Sequence, residues 1–86
     1  MITIEVFGPG CPRCEATMAA VRQAMRMLGI EATVTHIQDP REMARHQVLF
    51  TPAVRIHGEV KSTGRVPEVR EVTAWLATAA AAAEGA

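Results

Sequence analysis

Apolar and polar side chains alternate along the first residues of the chain and then change to a helical period. Branched apolar residues separated by polar ones predict a strand over Ile2–Phe7. After a Gly-Pro-Gly stretch, apolar positions recur at steps of four and three from Cys11 to Leu28, which predicts an amphipathic helix with Gly29 as its left-handed cap. The predicted buried stripe of this helix consists of Cys14, Met18, Val21, Met25 and Leu28.

Two further elements follow this helix. β-Branched residues over 31–37 predict a second strand. Asp39 can then cap a helix that has Pro40 at its first position, with Glu42 as the capping-box partner. We expect this helix to be short and to end near Arg45 or Gln47.

A hairpin and a last helix complete the pattern. Strands are predicted over 53–57 and 60–65, joined by a tight turn at Gly58-Glu59. A final helix is predicted to begin at Pro67 and to end at Gly85, with an alanine-rich extension and frayed tail over 79–86. Its buried stripe should be Val69, Val72, Leu76 and Ala79, flanked by Trp75.

The order β-α-β-α-β-β-α limits the possible architectures. A right-handed crossover makes the first two strands parallel neighbours, and the hairpin adds antiparallel strands at one side. The expected fold class is therefore α/β, a mixed four-stranded sheet with helices on both faces. A length of 86 residues fits one small domain, so we expect residues 1–86 to form a single domain.

Charge and composition exclude several classes of function. Nine basic and nine acidic residues give a formal net charge of zero, which argues against nucleic acid or an acidic membrane as a partner. The first residues lack the pattern of a signal peptide, and no apolar run approaches the ~20 residues of a membrane span. Two cysteines three residues apart cannot form the framework of a secreted disulfide protein. We therefore expect a cytoplasmic monomer without a cofactor.

The cysteines stand where the first strand meets the first helix. A spacing of three along a helix brings two Cα atoms to about 5–6 Å, within the ~4.4–6.8 Å that a disulfide requires. Cys11 would lie at the positive end of the helix dipole, before Pro12 in the first turn, and this favours a thiolate. The charge of Arg13 would favour it further. Cys14 starts the buried stripe and should be less accessible.

Two other interpretations of the cysteine pair remain open at this point. The pair could be inert and simply fill space, or it could be half of a metal site. A tetrahedral zinc site needs two further ligands. The histidines at 36, 46 and 57 are the candidates, and none has local ligand spacing with another.

A second motif, Thr51-Pro52, precedes the predicted hairpin. Together with C-x-x-C after the first strand and Gly64 before the last helix, it resembles the thioredoxin/glutaredoxin superfamily. Within that superfamily the chain is most similar to the short redox-active disulfide proteins, or mini-thioredoxins. The likeness covers residues 2 to about 77, with GCPRC, GIEA, TPAV and GRVPE as the matching blocks.

The resemblance implies a role for each matching position. Cys11 matches the attacking cysteine and Cys14 the resolving one. Pro52 matches a cis-proline that faces the disulfide, and Thr51 would offer its backbone to an extended substrate strand. Glu5 occupies the place of a buried carboxylate that accepts the proton of the resolving thiol. A partly solvated glutamate of the strand without this role is the alternative. The resemblance also implies the strand order 2-1-3-4.

Three departures from the thioredoxin pattern change the expectations. Gly10 stands where thioredoxins have a tryptophan, so the rim of the site should be more open. Arg13 stands where they have a proline, and its charge should raise the reduction potential. Glu68 replaces an expected serine cap, so the last helix should start loosely.

The function that the sequence favours is thiol–disulfide oxidoreductase. The Cys11–Cys14 pair would exchange electrons with a disulfide-containing protein or a small thiol, and a reductase or small-thiol donor would restore the dithiol. An alternative is a soft-metal carrier that binds Cu(I) or Zn(II) through the same pair. Ferredoxin-like metal carriers end on a strand, however, whereas this chain ends on a helix. A degenerate thioredoxin-like interaction module is the third possibility, and the intact cysteine pair speaks against it.

Overall fold

The computed structural model describes residues 2–10 and 12–84. Within these ranges the predicted order of strands and helices is confirmed. The elements are β1 (Ile2–Phe7), α1 (Pro12–Leu28), β2 (Ala32–Ile37), α2 (Pro40–Arg45), β3 (Ala53–Ile56), β4 (Glu59–Thr63) and α3 (Val69–Glu84).

The four strands form one mixed sheet in the order β2-β1-β3-β4. β1 runs parallel to β2 and antiparallel to β3, and β3 pairs antiparallel with β4. The predicted order 2-1-3-4 and the thioredoxin-like α/β class are therefore confirmed. This arrangement makes β1 a central strand, and its carboxyl end leads directly to the cysteine motif.

The helices cover both faces of the sheet. On one face, Ile4 and Val6 of β1 pack with Val21 of α1 and Leu76 of α3 in the main core. On the other face, Phe7 packs in a smaller cluster against which Met43 of α2 is partly buried. Because successive side chains of a strand point to opposite faces, Glu5 lies on the α2 face.

The buried stripe of α1 differs from the predicted one. Leu28, the last residue of the helix, is 39% exposed, whereas Thr17, Ala20 and Ala24 are buried. The helix packs against both the sheet and α3, so its buried face is wider than a single line of large apolar residues. Small side chains at the helix contacts were not recognisable as core from the pattern of large residues.

The hairpin turn is also shifted by one residue. His57 and Gly58, with φ of 51° and 78°, form the turn, and β4 begins at Glu59 and ends at Thr63. Positive φ at both central residues is typical of a type I′ turn, whose twist matches that of the flanking strands. The predicted turn at Gly58-Glu59 was therefore wrong in register, although the hairpin itself is confirmed.

α2 has the predicted cap and first residue, and the side-chain contacts of Glu42 are with Arg45 and His46 rather than with the backbone of Asp39. The side chain of Asp39 accepts a hydrogen bond of 2.9 Å from the backbone N–H of Arg41, and Pro40 is the first helical residue. The carboxylate of Glu42 lies 3.0 Å from Arg45 Nη1 and 3.8 Å from His46 Nε2. The helix ends at Arg45, within the expected range.

α3 begins at Val69 rather than Pro67, and its start is well anchored. The backbone N–H of Glu68 donates to Glu71 Oε1 at 3.1 Å, and the guanidinium of Arg65 donates to both carboxylate oxygens at 2.8 and 2.7 Å. The hydrogen bonds from Arg65 and then from Glu68 lower the pKa of Glu71 to about 2. The expectation of a loose start was therefore wrong, because Glu71 supplies the cap that Glu68 lacks.

α3 continues through the alanine run to Glu84, while Gly85, its predicted end, and the tail lie outside the described residues. In the two described ranges no helix has the length and apolar character to cross a bilayer.

Candidate active site

Three parts of the chain that are distant in sequence meet beside the cysteine motif. They are the stretch from the end of β1 to the start of α1, the loop before β3 and the turn after β4. Parallel pairing of β1 with β2 and antiparallel pairing with β3 bring these chain ends to one side of the sheet. The predicted site residues Arg13 and Cys14 of α1 are therefore brought near Thr51 and Pro52 of the loop before β3.

Cys14 is fully buried in the first turn of α1, as predicted. Its Sγ lies so close to Gly8 that a Cβ at position 8 would overlap it, and that Cβ would lie 3.2 Å from the Cβ of Cys14. Cys11, the predicted attacking cysteine, lies outside the described residues. Along the chain it directly precedes Pro12, the first and exposed residue of α1.

Gly8 is held in place from both of its backbone polar groups. Its N–H donates to the carbonyl of Ile37 at 3.0 Å, which continues the β1–β2 pairing. Its carbonyl oxygen lies 3.1 Å from His36 Nε2, so His36 carries a proton on this nitrogen and donates. The two hydrogen bonds fix the backbone of Gly8, against which Cys14 packs.

The loop before β3 contains the predicted proline. The Thr51–Pro52 peptide bond is cis, and Pro52 is buried. A Cβ built at Gly8 would lie 3.8 Å from the Cβ of Thr51, so the loop lies next to the contact between Gly8 and Cys14. Leu49 and Phe50, which precede it, are 82% and 65% exposed and give this rim an apolar surface.

Arg13 connects the start of α1 to the turn after β4. Its Nη2 donates to the carbonyl of Gly64 at 2.7 Å, across 51 positions of sequence. The N–H of Gly64 in turn donates to the carbonyl of Pro52 at 2.9 Å. The carbonyl of Arg13 accepts a hydrogen bond of 2.9 Å from the buried hydroxyl of Thr17.

Gly10 and Glu5 take different positions relative to this site. Gly10 is exposed, with φ of 86°. Glu5 lies on the α2 face of the sheet, where its carboxylate is 3.3 Å from Arg55 Nε. Arg55 also hydrogen bonds to His46 Nδ1. α1 packs on the opposite face, so a proton path from Cys14 to Glu5 must pass from one face to the other.

Sequence reasoning did not identify Gly8, His36 or Phe50 as parts of the site. Gly8 was taken only as the end of a strand, and His36 as one of three ordinary histidines. The signal at Phe50 was an apolar pair directly before Thr51-Pro52 that belongs to no strand or helix period. Gly8 and His36 carry no comparable signal, because their role depends on contacts with distant residues.

The described part of the chain has an apolar groove away from the cysteine motif. No group of three or more His, Cys, Asp or Glu residues in the same part of the chain could hold a metal ion. An open apolar groove of about 340 Å³ lies at the far end of α1, lined by Arg22, Met25 and Ile30 among others. Eight residues of helix, or about 12 Å, separate Arg22 from Cys14, so this groove is not part of the cysteine site.

Comparisons with known proteins agree with the fold. The sequence model of the family described as "Thioredoxin domain" matches residues 2–77. A protein named thioredoxin from Methanocaldococcus jannaschii is 36% identical over 72 residues, which cover 84% of this chain and 83% of that protein. A second thioredoxin, from Methanothermobacter thermautotrophicus, is 29% identical over 72 residues, 84% of this chain and 94% of its own length.

Proposed function

Because the chain belongs to the thioredoxin-domain family, we propose that it is a thiol–disulfide oxidoreductase that uses Cys11 and Cys14 to exchange electrons with disulfide-containing proteins. The observation that carries the proposal is the packing of buried Cys14 against Gly8, beside the cis Thr51–Pro52 bond. A buried second cysteine with an exposed segment directly before it is the arrangement that dithiol exchange requires.

The first step is attack by the thiolate of Cys11 on one sulfur of a substrate disulfide. A bond forms between Cys11 Sγ and that sulfur, the substrate S–S bond breaks, and the other substrate sulfur leaves as a thiolate that takes a proton from water. Cys11 is favoured as the nucleophile because it directly precedes Pro12, the first residue of α1, and the positive end of a helix dipole favours a thiolate. The charge of Arg13 would add to this preference for the thiolate.

In the second step Cys14 resolves the mixed disulfide. Its thiolate attacks Cys11 Sγ, forms the Cys11–Cys14 disulfide and releases the second substrate sulfur as a thiol. Two electrons have then passed from the protein to the substrate. A reductase or a small-thiol donor returns two electrons and restores the dithiol. We assign Glu5 the acceptance of the Cys14 proton, a role that stays a prediction.

The loop before β3 is the proposed binding site for substrate. An extended polypeptide would pair with the backbone of Thr51 beside Pro52, and main-chain pairing of this kind needs little side-chain selectivity. Gly10, directly before Cys11 in the chain, contributes no bulky side chain. Protein disulfides would thereby reach Cys11 more freely than through a site with tryptophan at this position. A cytoplasmic location and a monomeric state remain predictions.

Reduction of a protein disulfide tests the proposal. Insulin is incubated with catalytic amounts of the protein and dithiothreitol as the donor, and the turbidity of the released chains is followed. We expect turnover with the wild type and none above background with Cys11→Ser or Cys14→Ser. Equal turnover by Cys11→Ser, or stoichiometric binding of Cu(I) or Zn(II) without any dithiol exchange, would overturn the proposal in favour of the soft-metal alternative.

A further inference from the structure

The hydrogen bond between Arg13 and Gly64 joins three parts of the site that the sequence keeps far apart. Gly64 is bound through both of its backbone polar groups, its carbonyl to Arg13 Nη2 at 2.7 Å and its N–H to the carbonyl of Pro52 at 2.9 Å. A single peptide segment thereby links the start of α1 to the loop before β3. The donor is a charged guanidinium, so this is one of the stronger classes of hydrogen bond.

Both ends of this connection are anchored. At one end, the carbonyl of Arg13 accepts from the buried hydroxyl of Thr17, which belongs to the packed face of α1. At the other end, Arg65 directly follows Gly64 and binds both oxygens of Glu71 at the start of α3. The turn at Gly64 is therefore tied to α1 and to the start of α3 by hydrogen bonds.

The same turn supports the apolar rim. A Cβ at Gly64 would lie 3.3 Å from the Cβ of Phe50, so the backbone of Gly64 lies directly against the base of this exposed side chain. Phe50 immediately precedes Thr51, whose backbone is the proposed pairing site for substrate. Movement of the Gly64 turn would therefore displace both Phe50 and the Thr51–Pro52 segment relative to α1.

We propose that Arg13 is a positioning residue for polypeptide substrates: through Gly64 it holds Phe50 and Thr51 at a fixed distance from the cysteine motif. This inference rests on the proposed thiol–disulfide exchange and assigns Arg13 a second role besides its charge. A polypeptide that pairs with Thr51 and contacts Phe50 needs both held in register with Cys11. A small disulfide that reacts at Cys11 without the loop does not.

Two substrates separate the positioning role from the charge of Arg13. Steady-state kinetics are measured with insulin and with a small aromatic disulfide for the wild type, Arg13→Gln and Arg13→Lys. Loss of charge near Cys11 changes the reaction with both substrates by a common factor. Loss of positioning raises KM for insulin alone, and for Arg13→Gln we expect an additional rise of about fivefold in KM for insulin on top of the factor that the two substrates share.

Arg22→Gln is the matched control. Arg22 is an exposed arginine of the same helix, about 12 Å from Cys14 along the axis, so this substitution removes the same charge without touching Gly64. We expect its KM for insulin to equal that of the wild type. Arg13→Lys, which keeps the charge and a donor without the planar guanidinium, should recover part of the KM.

A second variant breaks the connection from its other end. Gly64 has φ of 73°, and the Cβ of Gly64→Ala would press on Phe50, so this substitution displaces the same turn. We expect Gly64→Ala to raise KM for insulin as well, and the double variant with Arg13→Gln to show less than the product of the two changes.

The outcomes distinguish the two proposals. If the wild type reduces neither substrate, the proposed function fails. If the wild type is active but Arg13→Gln changes both substrates by the same factor, or leaves KM for insulin equal to that of Arg22→Gln, the positioning role fails and the proposed function stands. A multiplicative double variant would likewise overturn the shared connection through Gly64.

Discussion

Gly8 lies against Cys14 so closely that no Cβ atom fits between its backbone and the Sγ of that cysteine. The two residues belong to different elements, since Gly8 follows β1 and Cys14 lies in the first turn of α1. Their contact sets how near α1 comes to the end of the central strand. It also explains why a residue without a side chain is needed at this point of the turn.

Gly8→Ala should therefore disturb both the packing and the chemistry of the site. The added methyl group must displace Cys14 or the turn, and overpacking of a closed site costs roughly 1–3 kcal/mol. We expect urea unfolding to show a loss of stability in this range and insulin reduction to fall markedly. A Gly8→Ala protein with wild-type stability and activity would contradict the contact.

Gly29→Asn is a suitable control for this substitution. A Cβ at Gly29 would have no atom within 4 Å, and asparagine tolerates the left-handed conformation of this helix cap. Its loss of stability should be confined to the backbone strain of a side chain at positive φ, about 1 kcal/mol, and its activity should be unchanged.

The cap of α3 predicts a dependence of stability on pH. Hydrogen bonds from Arg65 and from the backbone of Glu68 lower the pKa of Glu71 from 4.5 to about 2. Between these pH values the unfolded chain binds more protons than the folded one. The contribution of Glu71 to the free energy of unfolding is therefore complete above pH 4.5 and is lost as pH falls through 2. Urea unfolding of Glu71→Gln and wild type should differ most near neutral pH, and the difference should vanish near pH 2.

Glu31→Gln serves as the comparison for Glu71→Gln. It removes one carboxylate directly before β2, away in sequence from Arg65 and from the first turn of α3. We expect its difference from the wild type to vary less with pH. If the wild type and Glu71→Gln lost stability in parallel between pH 4.5 and 2, the cap would not be the cause.

His36 should matter through the carbonyl of Gly8 that it contacts at 3.1 Å. His36→Ala leaves this partly buried oxygen without its donor, which should cost about 1 kcal/mol in unfolding measurements. His36→Gln keeps a donor group and should restore part of the loss. Equal stability of His36→Ala and the wild type would show that the hydrogen bond contributes nothing to the position of Gly8.

The proposed role of Glu5 concerns the second step of exchange. If its carboxylate accepts the proton of Cys14, Glu5→Gln slows resolution of the mixed disulfide, by at least about tenfold for a general base. Single-turnover experiments with rapid acid quench measure the lifetime of this intermediate. Unchanged lifetimes would leave Glu5 only its ion pair with Arg55 on the α2 face.

Hydrophobic patterning predicted β1, α1 and α3, whereas α2, which has no buried residue, was predicted from its capping residues Asp39 and Pro40. Patterning failed where burial comes from small residues, as at Ala20 and Ala24 of α1, whose side chains carry little hydrophobic signal. It also misplaced the hairpin turn by one residue, because His57 adopts a positive φ that its residue type does not announce.

The residues of the site were likewise only partly predictable from the sequence. The cysteine motif and Thr51-Pro52 were recognisable as local motifs, and the topology brings the loop beside Cys14. The contacts of Arg13 with Gly64 and of His36 with Gly8 join residues that are 51 and 28 positions apart. No local pattern specifies such pairs, since they form only when the strand order has brought the chain ends together.

Trapping of the mixed disulfide is the sharpest test of thiol–disulfide exchange with Cys11 as the nucleophile. Cys14→Ser is incubated in its reduced form with a disulfide-bonded protein, and the products are separated without reductant and weighed by mass spectrometry. We expect a covalent one-to-one adduct through Cys11 in Cys14→Ser, reversible by dithiothreitol, and none in Cys11→Ser. Absence of the adduct from Cys14→Ser, or equal adducts in both variants, would contradict it.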